Sequence, residues 1–325
     1  MINKILPILV ILLFPVANAI AENSEEEIES MLAKMHYAAH MINYEGTFIY
    51  GQHNELSTMQ IIHSVNQNGE FERLISLDGS GREVIRSGNT VTCILPDKNA
   101  VVVDKSRPDS EFPPSFPVSI NNLSKVYSFH ISGEGTVAGR KTKKFIIQPK
   151  DQYRYGHTLW VDEKTGLLLK DHLLDNDGQT VEQFMFTRVT YPESIKEELM
   201  LVNDKRKKYT WYEAKEPATK PVVNNSMNWK VMSVPDGFLP GVKRHHKMTM
   251  SAMPVEHFMF SDGLSSVSVF VEKQMKNSKN LMGGSTMGAV NAYGRALGDH
   301  HITVVGEVPQ VTVKMVGDSV QHVKH

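Results

Sequence analysis

The residues best suited to chemistry sit in a few short clusters. His36 and His40 are four apart, the spacing at which two helical imidazoles hold one zinc ion. Tyr37, Ala38 and Ala39 lie between them, so the glutamate that serves as general base in H-E-x-x-H is absent. His245-His246 and His300-His301 are adjacent pairs. Neighbours on a strand point to opposite faces, which suits scattered surface histidines better than a two-ligand site. Asp175-Asn176-Asp177-Gly178 opens like a calcium loop, but the twelfth position from Asp175 is Phe186, where an EF-hand needs a carboxylate. Cys93 lies in "TVTCIL" with Val91 and Leu95 on its own face and reads as a small buried apolar residue. No G-x-S-x-G elbow offers a serine nucleophile.

The run "GGSTMGAVNAYGR" (283–295) looks at first like a phosphate loop. A Walker loop needs lysine after its last glycine, and Gly288 is followed by Ala289. No G-x-G-x-x-G occurs, and no buried parallel strand leads in. Gly283 and Gly284 are expected to turn the chain after the strand "SVSVFVEK". Ala289, Ala292 and Ala296 are expected to permit close packing, with Gly294 where the backbone must approach or bend. The sequence therefore assembles no catalytic set, no metal site and no cofactor site.

The elements that would position these groups divide in two. Ile28, Met31, Leu32, Met35, Ala38, Ala39 and Ile42 form an amphipathic stripe, and Ser24 with Glu27 matches a capping box. The period then changes to two for about 150 residues. The clearest segment is a three-strand meander, His157 to Val161, Leu167 to Leu174 and Thr180 to Val189, joined by short turn-rich links. Links this short exclude helical crossovers, so the sheet is expected to be antiparallel. The expected fold class is α+β: an incomplete antiparallel β-barrel wrapped around helical structure over residues 22–204. A connection with the basic cluster Lys205 to Lys208 covers 205–225. A smaller C-terminal α/β domain covers 226–325, with a hairpin around Ser261-Asp262-Gly263 and a helix marked by Val313, Val316 and Val320 after Pro309.

Residues 1–21 read as a cleavable secretory signal. Lys4 precedes the apolar run Ile5 to Val16, and A-x-A sites follow at Ala17 to Ala19 and Ala19 to Ala21. No cysteine follows to carry a lipid anchor. The formal charge of −1 becomes one unit more negative without Lys4, which excludes electrostatic capture of nucleic acid. A single cysteine excludes an internal disulfide.

Large apolar side chains dominate the first domain: Phe48, Tyr50, Phe71, Phe145, Trp160, Leu169, Phe184 and Phe186. Pattern alone leaves open whether they fill a core or line a cavity for an acyl chain or apolar peptide. The segments "NYEGTFIYGQ", "GLSSVSVFVE" and "GAVNAYGRALGDHHITVVGEVP", with the meander, resemble the RseB/MucB family from about Ile28 to Val320. The resemblance implies a periplasmic regulator, not an enzyme, whose larger domain is similar to LolA- and LppX-type carriers. It implies that the protein binds the periplasmic domain of a transmembrane anti-sigma factor of the RseA or MucA type. It also implies shielding of that domain from a DegS-type site-one protease, and release on sensing lipopolysaccharide or another acylated lipid. On that reading the aromatic residues are expected to bind lipid, with Arg73, Arg82 and Arg86 as candidates for anionic head groups. Tyr293 and Arg295 are candidates for partner contact. A carrier of lipids or lipoproteins would use the same first domain but does not require the second. An exposed sheet edge makes a homo-oligomer a further expectation.

Overall fold

A computed structural model describes residues 25–52, 55–105, 112–114, 116–202, 208–213, 228–247, 254–274 and 280–323. The expected signal segment and Ser24 of the capping box lie outside the described residues, as do the side chains of His245 and His246.

Helix α1 (Glu25–Met41) begins with three glutamates, which favour the positive end of the helix dipole, and buries Ile28, Met31, Leu32, Met35 and Ala38. Strands β1 (Tyr44–Gln52), β2 (Glu55–Asn66), β3 (Gly69–Ser76), β4 (Glu83–Ser87), β5 (Thr90–Leu95) and β6 (Ala100–Lys105) follow. After them come β7 (Tyr127–Val137), β8 (Arg140–Pro149), β9 (Gly156–Asp162), β10 (Leu168–Leu174) and β11 (Thr180–Thr190). A short strand β12 (Thr210–Glu213) completes the sheet, whose order is β12-β6-β5-β4-β3-β2-β1-β11-β10-β9-β8-β7. The expected meander is β9 to β11. The sheet is antiparallel except for β12, which runs parallel to β6, and it does not close. Residues 210–213 lie in the segment expected as a connection, so part of that segment extends the first domain's sheet.

The stripe of α1 packs on the inner face of the sheet with Phe48, Phe145, Leu159, Leu169 and Phe186, each at most 2% exposed. At about 1.5–3 kcal/mol per buried large apolar side chain, this cluster dominates the first domain's stability. The Phe112 ring stacks on Phe48 at 4.3 Å and meets Phe184 edge-on at 4.9 Å. Around Phe48 and Phe186 the half-barrel is therefore filled. A smaller cluster of Ile85, Ile94 and Val101 packs with Val202 and Tyr209.

The second domain contains β13 (Trp229–Val231), β14 (Leu239–Lys247), β15 (Pro254–Ser261), β16 (Ser266–Lys273), β17 (Gly283–Met287), β18 (Val290–Leu297) and β19 (His300–Gly306). Helix α2 (Gln310–Asp318) and β20 (Val320–His322) end it. Six antiparallel strands run in the order β14-β15-β16-β19-β18-β17, and β13 pairs with β20. Val267, Val269 and Val271 alternate inward to meet Ile302, Val304, Val313 and Val316 of β19 and α2. Two expectations need correction. Val320 belongs to β20 and not to the helix, and the run 283–295 is a hairpin of β17 and β18 instead of a loop followed by close-packed alanines. Met287 pairs with Val290, leaving Gly288-Ala289 as a two-residue turn with Gly288 at φ +64°.

Candidate functional site at the domain junction

Among the described residues, hydrogen bonds join the two domains at three places. Arg154, which is fully buried, donates through Nη1 to Asp262 Oδ2 at 2.8 Å and through Nη2 to the Asp236 carbonyl at 2.6 Å. Its Nε reaches Asp151 Oδ1 at 3.1 Å. The guanidinium sits between the rings of Tyr127 and Phe238, 5.4 and 5.1 Å from their centroids. The Tyr127 hydroxyl also donates to Asp262 at 3.0 Å, and burial followed by the Asp262 charge pushes that phenol well above its ordinary range. Arg154 and Asp262 thus have the charge partner and hydrogen bonds that a buried ion pair requires.

The second contact is the β17–β18 hairpin tip. Ala289 is fully buried in a cluster with Tyr155 and Leu173, and Asn291 Nδ2 donates to the Tyr155 hydroxyl at 2.9 Å and the Val308 carbonyl at 2.8 Å. Gly288 packs so closely on Gln52, at the end of β1, that a Cβ there would overlap the amide. The third is a bond of 2.7 Å from the Thr312 hydroxyl, in α2, to the Tyr153 carbonyl.

Between these contacts lies a cavity of about 1000 Å³ lined by both domains. Phe112, Phe116, Phe184 and Leu173 line it from the first domain, and Met259 and Leu264 from the second. Its polar wall combines His157 of β9, Asp171 of β10 and Glu182 of β11 with Glu307, just after β19. His157 Nδ1 lies 3.1 Å from Asp171 Oδ2. Burial alone would depress this imidazole, but the charge and hydrogen bond of Asp171 outweigh it and raise its pKa. Burial first, and then neighbouring charge, raises the carboxyls of Glu182 and Glu307. Asp171 repels Glu182, whereas Glu182 and Asp171 repel Glu307. Burial and then Glu182 push the Tyr50 phenol up as well. His36 and His40 of α1 also face this space, with ring centroids 4.5 Å apart, and His40 Nδ1 lies 3.2 Å from Glu70. Among the described residues no three His, Cys, Asp or Glu side chains are grouped to hold a metal ion.

Of the residues expected to bind lipid, Tyr50 and Phe184 line the cavity. Phe48, Phe145 and Phe186 are core. Trp160 is half-buried, with Lys170 Nζ 4.3 Å and Lys144 Nζ 5.7 Å from its ring. Phe71 and Arg73 alternate with Glu72 and Leu74 on β3, and Leu74 is the one packed on the inner core. Arg73 bonds to Glu83 at 2.6 Å, Arg82 to Asp97 at 3.0 Å, and Arg86 lies 3.8 Å from Glu72. None of the three arginines lines the cavity. Arg295 donates to the Gly317 and Val320 carbonyls at 2.8 and 2.7 Å, closing the C-terminal end of α2, and the Tyr293 hydroxyl donates to Asp318. Sequence reasoning missed Asp171, Glu182, Glu307, Arg154 and Asp262. The strands of Asp171 and Glu182 were legible, but the approach of Arg154 to Asp262 and of Glu182 to Glu307 joins segments more than a hundred residues apart.

Residues 27–202 match the MucB/RseB N-terminal domain family, and residues 223–321 match the MucB/RseB C-terminal domain family. The chain belongs to the MucB/RseB family. Among curated MucB/RseB proteins it is 29% identical to the sigma factor AlgU regulatory protein MucB of Pseudomonas aeruginosa, over 93% of each chain. It is 28% identical to the sigma-E factor regulatory protein RseB of Salmonella typhimurium, over 95% of this chain and 94% of that protein. The solved Pseudomonas aeruginosa MucA/MucB complex superposes with a TM-score of 0.71 at 27% identity, covering 92% of this chain and all of its match. A second MucB structure, in complex with MucA(peri), gives 0.69 at 26% identity over 91% of this chain and 99% of that one. MucB/RseB proteins are regulatory binding proteins and not enzymes. No helix among the described residues is long and apolar enough to cross a membrane.

Proposed function

We propose that this protein regulates an envelope-stress sigma factor from the periplasm by binding the periplasmic domain of a membrane anti-sigma factor. Bound there, it shields that domain from a site-one protease, and a lipopolysaccharide or other acylated lipid releases it. The observation that supports this most is the junction cavity, lined by both domains of a chain that matches the family in both domains and in their order. The solved relatives carry MucA on this same two-domain architecture. A ligand that touches both domains favours one relative arrangement of them, and two ligands that favour different arrangements, or compete for one wall, make a switch. The apolar residues Phe112, Phe116, Phe184 and Leu264 offer an acyl chain a dry surface.

Titration calorimetry of the mature chain with the purified periplasmic domain of its own anti-sigma factor is expected to show binding. A cleavage assay with the cognate protease is expected to slow in parallel. Absence of binding together with unchanged cleavage would refute the reading. Added lipopolysaccharide is expected to weaken the complex, and unchanged affinity would remove the lipid step from it.

A further inference from the structure

The cavity has a polarity that the lipid reading does not use. Its apolar half is built from Phe112, Phe116, Phe184, Leu173 and Leu264. Its polar half brings Asp171, Glu182 and Glu307 together. Asp171 has His157 as a partner and is itself only 6% exposed. Glu182 has the Gln52 amide at 3.5 Å and the Tyr50 hydroxyl. Glu307 is exposed, has no hydrogen-bond or ion-pair partner among the described residues, and lines the cavity. Among the described residues no lysine or arginine lines the space. The cationic side chains expected to receive anionic head groups, those of Arg73, Arg82 and Arg86, are all drawn into pairs with carboxylates elsewhere on the sheet. A phosphorylated or sulfated group placed against this wall would meet repulsion from three carboxylates. A cation would meet attraction from all three, strengthened by the low-dielectric aromatic surface beside it.

From the size of the cavity, its apolar half and the unpaired carboxylate on its opposite wall, we infer that the junction is a binding site for an amphipathic cation: an ammonium or guanidinium group carried on an apolar body. The volume of about 1000 Å³ lies at the top of the ~300–1,000 Å³ range of sites for small organic ligands. Because Glu182 belongs to the first domain and Glu307 to the second, one bound cation neutralises like charges that face each other across the junction. It therefore ties the two domains together. Burial, together with repulsion from Asp171 on Glu182 and from Glu182 and Asp171 on Glu307, makes both carboxyls hold their protons more tightly than usual. A cation reverses the repulsion, so its binding favours the ionised form of both and expels protons at a pH where they are partly protonated. The titratable groups facing this pair are Tyr50, Tyr155, His36, His40, His157 and Asp171, with Asp175 acting on Tyr155 from the side.

The test uses the mature chain and three twelve-carbon amphiphiles below their micellar concentrations: dodecylammonium, dodecyl sulfate and dodecyl maltoside. Titration calorimetry is expected to show the amine binding about tenfold or more tighter than the sulfate. The double variant Glu182→Gln/Glu307→Gln is expected to bring amine and sulfate close to parity while leaving the maltoside unchanged, which also reports that the cavity is intact. Repeating the amine titration in buffers of different ionisation enthalpy is expected to show proton release in the parent chain and a smaller release in the variant. Sulfate binding as tightly as the amine, an unchanged ratio in the double variant, or amine binding without proton release would each overturn the inference. A capped peptide with lysine between leucines, set against its glutamate counterpart, separates the sources of the cation. Displacement of the amine by the lysine peptide alone assigns the site to a peptide side chain, and failure to displace assigns it to a free amphiphilic amine. The anti-sigma factor is absent from every arm, so failure here and failure of the proposed function are separate results.

Discussion

Two ends of the same domain junction solve the problem of buried charge in opposite ways. At the Arg154 end, one guanidinium meets Asp151, Asp262, the Asp236 carbonyl and two aromatic faces, and nothing is left unmatched. At the cavity end, three carboxylates share one wall with a single close imidazole, and water has access. The first end holds the domains together without a ligand. The second leaves like charges close together, which protonation or a bound cation would relieve. The proposed binding site thus lies where the charges are unresolved, and the resolved end supplies the frame against which a ligand would work.

The contrast can be broken most severely at its closed end. Asp262→Ala leaves Arg154 buried without its principal acceptor, and loss of one member of such a pair costs about 3–5 kcal/mol. Chemical denaturation is expected to show that loss, or small-angle scattering a larger radius of gyration as the domains part to hydrate the arginine. A parent-like midpoint and radius would show that the pair is not what fixes the domains. The hairpin tip tests the frame more gently. Gly288→Ala adds a Cβ at φ +64° and against Gln52, and is expected to cost about 1 kcal/mol by denaturant midpoint. A neutral result would mean that the tip moves freely off the first domain.

The smallest effect sharpens the open end. Glu182, Glu307 and His157 all have raised folded-state pKa values. Each binds protons more tightly in the folded chain than in the unfolded one, so its contribution is complete below its ordinary pKa and is lost as pH rises through the folded value. Stability is thus expected to fall as pH climbs from the ordinary glutamate range, about 4.3, past the ordinary histidine value of about 6.5. In Glu182→Gln/Glu307→Gln the melting temperature is expected to rise by about 1–2 °C at pH 8 and to vary less with pH. A variant with the parent's slope would show that burial does not raise these two carboxyls.

How far the sequence could be read follows from the range of the interactions involved. The α1 stripe, the 157–189 meander and the Val267-Val269-Val271 alternation are local patterns, and each became the expected element. The 283–295 hairpin was harder to read because Ala289, Ala292 and Ala296 fall at helical spacing, while the strand pairing with β19 that decides the matter lies beyond the window. Gly294 does serve the expected close approach, against the Leu281 carbonyl, and Gly288 makes a second one, against Gln52 of the other domain. Arg73 and Arg82 looked available for ligands because a sequence does not show that Glu83 and Asp97 stand beside them. Glu307 and Glu182 are 125 positions apart, and no periodicity links them.

One feature of the large sheet bears on how the chain acquires its structure. Strand β1 is hydrogen-bonded to β11, so Phe48 sits opposite Phe186 and Glu45 opposite Thr190. The two halves of the sheet, β1 to β6 and β7 to β11, are each sequential meanders able to zip locally, but the seam between them joins the first strand to one made much later. Loop closure on that scale is slow compared with hairpin formation. The central seam is thus expected to form last, leaving Phe48, Phe184 and Phe186 exposed until then. Until residue 190 has emerged from whatever machinery delivers the chain, its first domain is two unfinished sheets in search of each other.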